Sequence, residues 1–166
     1  SVGTAAAPWA GGGGWSSKLW PAESYGELAS RLARRGIATL VTWGPGEQAL
    51  AGRVVAASGG TAVAGFEATL LDLAALARRA RAIVAADTGP LHLACAVGTP
   101  AVALFGPTDP ARNGPWNPAD VVLQRRPPCF PCHRRECARH RGILAQIPVA
   151  EVEQALLARI GLADAG

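Results

Sequence analysis

The chain has 166 residues, a formal net charge of +4 and an apolar fraction of 49%. This length suits one domain with a hydrophobic core, and the apolar content excludes a disordered chain. No apolar run approaches the roughly 18 residues of a membrane-spanning helix, and the opening lacks the basic start of a signal peptide. Four cysteines do not indicate a secreted disulfide scaffold, so we expect a cytoplasmic protein. Because it begins at Ser1 and contains no methionine, we expect it to be part of a longer protein.

Helix and strand patterns alternate along the first two thirds of the chain. After a loop rich in Trp, Gly and Ser over residues 8–17, a helix is predicted from Pro21 to Gly36. The predicted strands cover 37–42, 61–64, 82–86 and 101–105. Of the helices between them, the first ends near residue 57, and the other two cover 70–79 and 90–97. This alternation predicts right-handed βαβ units, and therefore an α/β fold with a Rossmann-like parallel sheet and helices on both faces.

The last third of the chain is less regular. A loop rich in Pro and Gly is predicted over 106–119, a strand near 120–124 and a final helix over about 148–160. A segment rich in Cys and Arg lies between the last strand and the last helix. Since no internal repeat is visible, residues 1–166 are expected to form a single domain.

Four loops are candidates for ligand binding. Ligands of an open parallel sheet bind beyond the carboxyl ends of its strands. The loops expected at that edge are Gly11–Lys18, Gly44–Glu47, Asp87–His92 and Gly106–Asp109. The sequence holds no P-loop and no GxGxxG motif, so neither a kinase-like nor a dinucleotide-binding site is expected.

The stretch "AADTGPLHLACAVGTP" carries the most informative of these loops. Pro90 suits the first turn of a helix, which Thr88 or Gly89 would cap. A helix start attracts phosphate, Gly89 lets a ligand approach the backbone, and His92 lies within reach of the same anion. Asp87 would repel a diphosphate and suits sugar hydroxyls or loop amides instead. A phosphate and a polyol together describe a nucleotide sugar.

Each of these features also has an explanation that needs no ligand. A Thr-Gly-Pro junction caps a helix by itself, and a histidine near a helix start is more often a capping or surface residue. "GPGE" is usually a turn, and a lone lysine, here Lys18, is usually solvated. The convergence of four loops on one edge of the sheet favours the ligand-binding interpretation.

Several motifs resemble the C-terminal half of family 9 glycosyltransferases, the ADP-heptose:lipopolysaccharide heptosyltransferases. They are "GWSSKLWP", "GPGE", "DTGPLHLACAVGTPAVALFGPTDP" and "NGPW", and the form "TWGPGE" is similar to the type that adds the first heptose. The resemblance implies a GT-B enzyme with two Rossmann-like domains and an active site between them. It implies that this chain is the donor-binding domain, and that the N-terminal acceptor domain with its general base is absent.

The resemblance also implies roles for individual residues toward ADP-L-glycero-D-manno-heptose. Lys18 would pair with the diphosphate, and Glu47, or Gln48 in an ungapped register, would take the ribose hydroxyls. Asp87 would contact the heptose or brace its loop. The phosphates would be held by Thr88, Gly89 and the helix amides, with His92 close by. Where some relatives carry two hydroxyl residues, this chain has Gly13 and Gly14, with Ser16 and Ser17 nearer the lysine.

The implied reaction is an inverting heptose transfer to the inner core of lipopolysaccharide, a Kdo-lipid A type acceptor, through an oxocarbenium-like transition state. A cation and a helix dipole can neutralise the departing diphosphate, so no metal or other cofactor is expected. The fragment alone is expected to be inactive. Two alternatives remain open: another GT-B type nucleotide-sugar enzyme such as an epimerase, and a stand-alone nucleotide-sugar binding module.

The segment "RRPPCFPCHRRECARHR" allows several interpretations. It contains Cys129, Cys132, Cys137, His133 and His140. These side chains would either bind zinc together, or the cysteines would be reduced thiols without a metal. Its six arginines and one glutamate make it basic, but no nucleic-acid motif accompanies them. The segment is therefore expected to meet a phosphorylated acceptor or the cytoplasmic face of the inner membrane, or to be a solvated loop. Cys95, inside an apolar helix, is expected in the core.

Overall fold

The computed structural model describes residues 4–6, 16–132 and 142–162. The described strands are β1 (Thr4–Ala6), β2 (Ala38–Trp43), β3 (Ala62–Glu67), β4 (Ile83–Ala86), β5 (Ala101–Phe105) and β6 (Val121–Gln124). The described α-helices are α1 (Ala22–Arg34), α2 (Gln48–Ala57), α3 (Leu70–Arg79), α4 (Gly89–Ala96), α5 (Pro110–Asn113) and α6 (Val149–Arg159). Short 3₁₀ turns cover Ser16–Lys18 and Ile143–Gln146.

The strands form one parallel sheet in the order β3-β2-β1-β4-β5-β6. This is the strand order of a Rossmann-type doubly wound sheet. The direction of winding reverses between β1 and β4, and a crevice opens outside the carboxyl ends of strands at such a point. The turn Ser16–Lys18 and the residues directly after β4 are therefore expected beside this ligand crevice.

Helices cover both faces of the sheet, as the sequence predicts. All the residues of β4 and β5 are buried. Alternate residues of these strands face opposite layers, because successive side chains of a strand point to opposite sides. Val84 and Val102 pack with α1, α2 and α6, whereas Ala85 and Ala103 pack with α3 and α4.

Helix α1 supports the turn that carries Lys18. Leu28 and Leu32 on its apolar face are buried, and Arg31 together with the C-cap residue Arg35 pairs with Glu153 of α6. Just before the helix, the Trp20 indole donates to the Ile147 carbonyl over 3.1 Å and stacks edge-on against Tyr25. The connection from Lys18 into α1 is thus anchored to the core.

The predicted elements are confirmed with a few corrections. The helix over 70–79 and the strand over 101–105 have the predicted bounds. β3 continues to Glu67 instead of ending at residue 64, because it stays paired with β2 beyond an irregularity. The predicted loop over 106–119 contains α5, since Pro110 occupies the first helical position and the Asp109 side chain accepts from the Ala111 amide.

The sequence predicts no strand at the position of β1. Thr4–Ala6 is short and mostly alanine, which has a low strand propensity, so its sequence carries no strand signal. It forms because β2 and β4 lie on either side of it. Most of the predicted loop over residues 8–17 lies outside the described residues, and Ser16 begins a 3₁₀ turn.

Two helical glycines should respond in opposite ways to alanine. A Cβ on Gly26 would lie 2.5 Å from the Ala57 Cβ where α1 crosses α2, whereas a Cβ on Gly52 would meet nothing within 4 Å. We expect Gly26→Ala to lower the free energy of unfolding by about 1–3 kcal/mol through overpacking. Gly52→Ala, the matched control, should raise it by about 0.5–1 kcal/mol through helix propensity. Urea titrations measure both changes, and equal effects would contradict this packing.

Candidate functional site

A polar cluster lies at the point where the sheet reverses its winding. Lys18 follows β1, and Asp87 immediately follows β4. The Lys18 Nζ lies 2.8 Å from the Asp87 Oδ2 and donates to the Asp87 carbonyl oxygen over 3.2 Å. The Lys18 side chain is 15% exposed and that of Asp87 4%. The structure thus joins two of the predicted site residues, 69 positions apart, in a largely buried ion pair.

Asp87 is the centre of this cluster. Burial by itself would raise its pKa, but the hydrogen bond and positive charge of Lys18, together with the polar side chains of Thr108 and Asn113, outweigh burial and hold the pKa below its ordinary value. Asn113 donates its Nδ2 to the same carboxylate over 3.3 Å and also favours the charged form. The carboxylate is therefore ionised and has its oxygens occupied by partners within the protein.

His92 occupies the second oxygen of the same carboxylate. His92 lies in the first turn of α4, and its Nε2 is 3.1 Å from the Asp87 Oδ1. The ring is partly exposed, and the Trp116 ring lies beside it with a centroid distance of 6.2 Å. Asp87 thus orients the imidazole at the mouth of the cluster, next to the start of the helix.

The start of α4 is open to an anion. Thr88 is the N-cap residue, but its hydroxyl donates back to the Ala86 carbonyl over 3.1 Å and does not cap the helix. A Cβ on Gly89 would meet nothing within 4 Å. The first turn therefore offers N–H groups and a partial positive charge, with space in front of Gly89 for a ligand.

Glu47 lies at the same edge of the sheet, after β2. The Gly44 amide donates to its Oε2 over 3.1 Å, and the Glu47 amide donates back to the Gly44 carbonyl over 3.1 Å. These bonds close the "GPGE" turn and place Glu47 at the N-cap of α2, while Gln48 is the exposed first residue of that helix. No described contact joins Glu47 to the Lys18–Asp87 pair, so its role toward a ribose stays a prediction.

Two residues of the cluster were not among the predicted site residues. Asn113 ends the short helix α5, and Thr108 is 2% exposed in the loop after β5. Thr108 lies close enough to contribute to the lowered pKa of Asp87, but its hydroxyl has no partner at hydrogen-bonding geometry among the described residues. Thr108 lies in the predicted ligand loop Gly106–Asp109, and Asn113 begins the "NGPW" motif, but nothing in the sequence pairs either side chain with Asp87.

The Cys- and Arg-rich segment is described only in part. Cys129 is exposed, and Cys132 donates its amide to the Pro107 carbonyl over 2.8 Å. His133, Cys137 and His140 lie outside the described residues, so the zinc site stays a prediction. Within the described ranges no cluster of metal-binding side chains is present. Cys95 packs against the core but is only half-buried, and burial raises its pKa to about 11.

The two described arginines of this segment have partners within the protein. Arg125 pairs with Glu151 and donates to the Gln146 carbonyl over 3.3 Å. Arg126 bonds to the Gln124 side chain and lies 4.7 Å from the centre of the Phe130 ring. Arg125 therefore links β6 to α6, and it is less available to an external anion than the sequence indicates.

The chain is similar in sequence to curated heptosyltransferases. The family model described as glycosyltransferase family 9 (heptosyltransferase) matches residues 5–141. Lipopolysaccharide heptosyltransferase 1 of Pseudomonas aeruginosa is 39% identical over 124 residues, 74% of this chain and 35% of that protein. Lipopolysaccharide heptosyltransferase 3 of Escherichia coli is 34% identical over 105 residues, 60% of this chain and 31% of that protein. The chain spans about a third of the length of these relatives.

Solved structures share the fold. E. coli heptosyltransferase WaaC with ADP has a TM-score of 0.73 and 26% identity, covering 95% of this chain and 45% of that one. E. coli ADP-heptose lipopolysaccharide heptosyltransferase II has a TM-score of 0.79 and 24% identity, covering 96% and 47%. These similarities confirm the predicted α/β, Rossmann-like architecture.

Asp87 should make the stability of the chain sensitive to acid. Because its folded-state pKa lies below the ordinary value of 3.8, its stabilisation is present above that value and is lost as the pH falls through the folded-state pKa. Asp87→Asn, which leaves the positive charge of Lys18 unbalanced, should lower the free energy of unfolding at pH 7. Urea titrations should show a constant deficit above about pH 5 that shrinks below about pH 4. A deficit independent of pH would contradict this assignment.

Proposed function

Because the chain belongs to glycosyltransferase family 9, we propose that it binds the nucleotide-sugar donor of a heptosyltransferase, ADP-L-glycero-D-manno-heptose. The observation that carries this proposal is the meeting of Lys18, Asp87 and the open start of α4 at the winding reversal of the sheet. A diphosphate needs cationic and N–H donors, and a sugar needs oriented polar groups. The Lys18 ammonium, the Asp87 carboxylate and the amides at the start of α4 all lie at this one point of the chain.

The diphosphate is assigned to the start of α4. The amides of its first turn and the nearby Lys18 ammonium attract the phosphates, and Gly89 leaves room for them. Asp87 positions Lys18 and His92, since its carboxylate already binds both. We assign the ribose to Glu47 at the N-cap of α2, with Gln48 as the alternative one residue further on.

For the whole protein we propose the reaction that the family membership supports. In the whole protein, heptose is transferred with inversion to the Kdo-lipid A type inner core of lipopolysaccharide, and a second domain supplies the general base and the acceptor surface. Lys18 and the helix dipole stabilise the negative charge on the departing ADP, which makes an additional metal unnecessary for that step. The family does not favour an epimerase or a binding module without chemistry. The chain alone should bind the donor without transferring sugar.

Binding of ADP by the 166-residue chain tests the location of the site. Calorimetry should show weak binding, since a second domain would normally exclude water from the crevice. Lys18→Gln should weaken binding by about 1.5–3 kcal/mol, the range for a hydrogen bond to a charged group. Gly89→Val should weaken it by obstruction while leaving the fold intact, because its side chain enters open space.

The matched control is Gly52→Ala, a glycine substitution in a helix away from the crevice, which should bind ADP as the native chain does. Equal ADP affinity in the native, Lys18→Gln and Gly89→Val chains would refute the assignment of the site. Heptose transfer by the chain alone would refute the proposed division between two domains.

We also propose that the Arg-rich segment contacts the cytoplasmic face of the inner membrane, where a lipid-linked acceptor would be presented. No helix within the described ranges has the length and apolar character to span a bilayer. The arginines beyond Arg126 make this segment the most basic part of the sequence. Basic segments bind anionic lipid surfaces through screened electrostatic attraction.

Sedimentation with phosphatidylglycerol vesicles tests the membrane contact. Arg134→Gln combined with Arg135→Gln should weaken binding by about 1 kcal/mol for each arginine at low salt, and the loss should shrink as salt rises. Arg78→Gln combined with Arg79→Gln is the control, because it removes the same charge from exposed positions on α3. Equal losses in the two double variants would attribute binding to net charge and contradict a specific surface.

A further inference from the structure

The residues Asp109–Trp116, here called the rim loop, form a constrained connection between β5 and β6. The Asp109 carboxylate accepts from the Ala111 amide over 2.9 Å and starts α5. The chain then turns at Gly114, whose amide donates to the Pro110 carbonyl over 2.7 Å. A Cβ on Gly114 would lie 2.3 Å from that carbonyl oxygen, so only glycine allows this turn. The loop therefore has a defined shape up to Trp116.

The polar cluster fixes where the rim loop lies. The Asn113 side chain donates to the Asp87 Oδ2 over 3.3 Å, the oxygen that also binds Lys18. Three residues later, the Trp116 ring lies 6.2 Å from the His92 ring at an interplanar angle of 40°. Asp87 thus orients the loop through Asn113 and orients His92 directly. Trp116 is consequently placed at the rim of the proposed donor site.

Trp116 presents a large uncovered surface at this position. It is 73% exposed, in contrast to Trp20, which is buried in the core. Burial of an aromatic side chain is a major source of binding energy, and ligand pockets combine aromatic walls with a few polar groups. A sugar ring presents both hydroxyls and an apolar C–H face. The polar cluster and the exposed indole together match these two kinds of surface.

We propose that Trp116 is a specificity-determining residue that packs against the C–H face of the donor's sugar, beyond the diphosphate. This inference rests on the proposed function. It assigns to Trp116 a contact with the sugar and none with the ADP portion, which the start of α4 and Lys18 bind. Trp116 therefore sets the preference of the site for the complete donor over ADP.

Calorimetry of the 166-residue chain with ADP and with ADP-heptose separates the two contacts. Trp116→Ala should bind ADP within about twofold of the native chain but bind ADP-heptose about three- to tenfold more weakly, the range for an aromatic contact. Trp116→Phe should keep part of the preference. Val63→Ala, an exposed apolar truncation on the edge strand β3, should change neither affinity.

Tryptophan fluorescence gives a second readout. ADP-heptose should quench the native emission more than ADP does, and Trp116→Phe should abolish that difference. Equal weakening of both ligands in Trp116→Ala, or no weakening of either, would overturn the role of Trp116 while leaving the donor site in place. Failure of the native chain to bind ADP would overturn the proposed function and this inference with it. Unchanged circular dichroism of the variants excludes misfolding as the cause.

Discussion

The Asp87 carboxylate, buried at the end of β4, holds three segments of the site in place through its partners. A carboxylate that is 4% exposed needs charged and hydrogen-bonding partners, because an isolated buried charge costs many kcal/mol. Its partners come from three connections: Lys18 after β1, His92 on α4 and Asn113 on α5. Satisfying this one group therefore fixes the relative positions of three segments that the sheet alone would only bring near one another.

The topology of the sheet brings Lys18 and Asp87 together where the winding reverses. The order β3-β2-β1-β4-β5-β6 reverses its winding between β1 and β4, where sheets of this kind bind ligands. β4 is buried on both faces and ends directly before Asp87, so the carboxylate begins where the apolar run stops. The anchoring of Trp20 and Tyr25 in the core holds the turn that carries Lys18 in position.

The sequence predicts the elements that carry strong local patterns. The all-apolar β5 and the amphipathic α3 have the predicted bounds, and Lys18, Asp87 and His92 are individually recognisable by their motifs. Their mutual pairing is not predictable from spacing, since Lys18 and Asp87 are 69 residues apart and Asn113 is 26 residues from Asp87. β1 is hidden for a related reason, because its neighbours in the sheet, and not its alanines, decide its conformation.

An unpaired carboxylate beside a diphosphate would repel it, but the pairing of Asp87 with Lys18 offsets this repulsion. The two opposite charges lie 2.8 Å apart and largely cancel at a distance, so the carboxylate adds little net repulsion at the helix start. At the same time Asp87 holds the ammonium in place before any ligand arrives, which lowers the entropy lost on binding. In the proposed site, the amides of α4 and the Lys18 ammonium together attract the phosphates, and Lys18 is in addition a preorganised donor for the charge that develops on the leaving group. Under the proposed function, a site balanced in this way holds ADP less tightly than an unpaired lysine would, which favours release of ADP from the whole protein after sugar transfer.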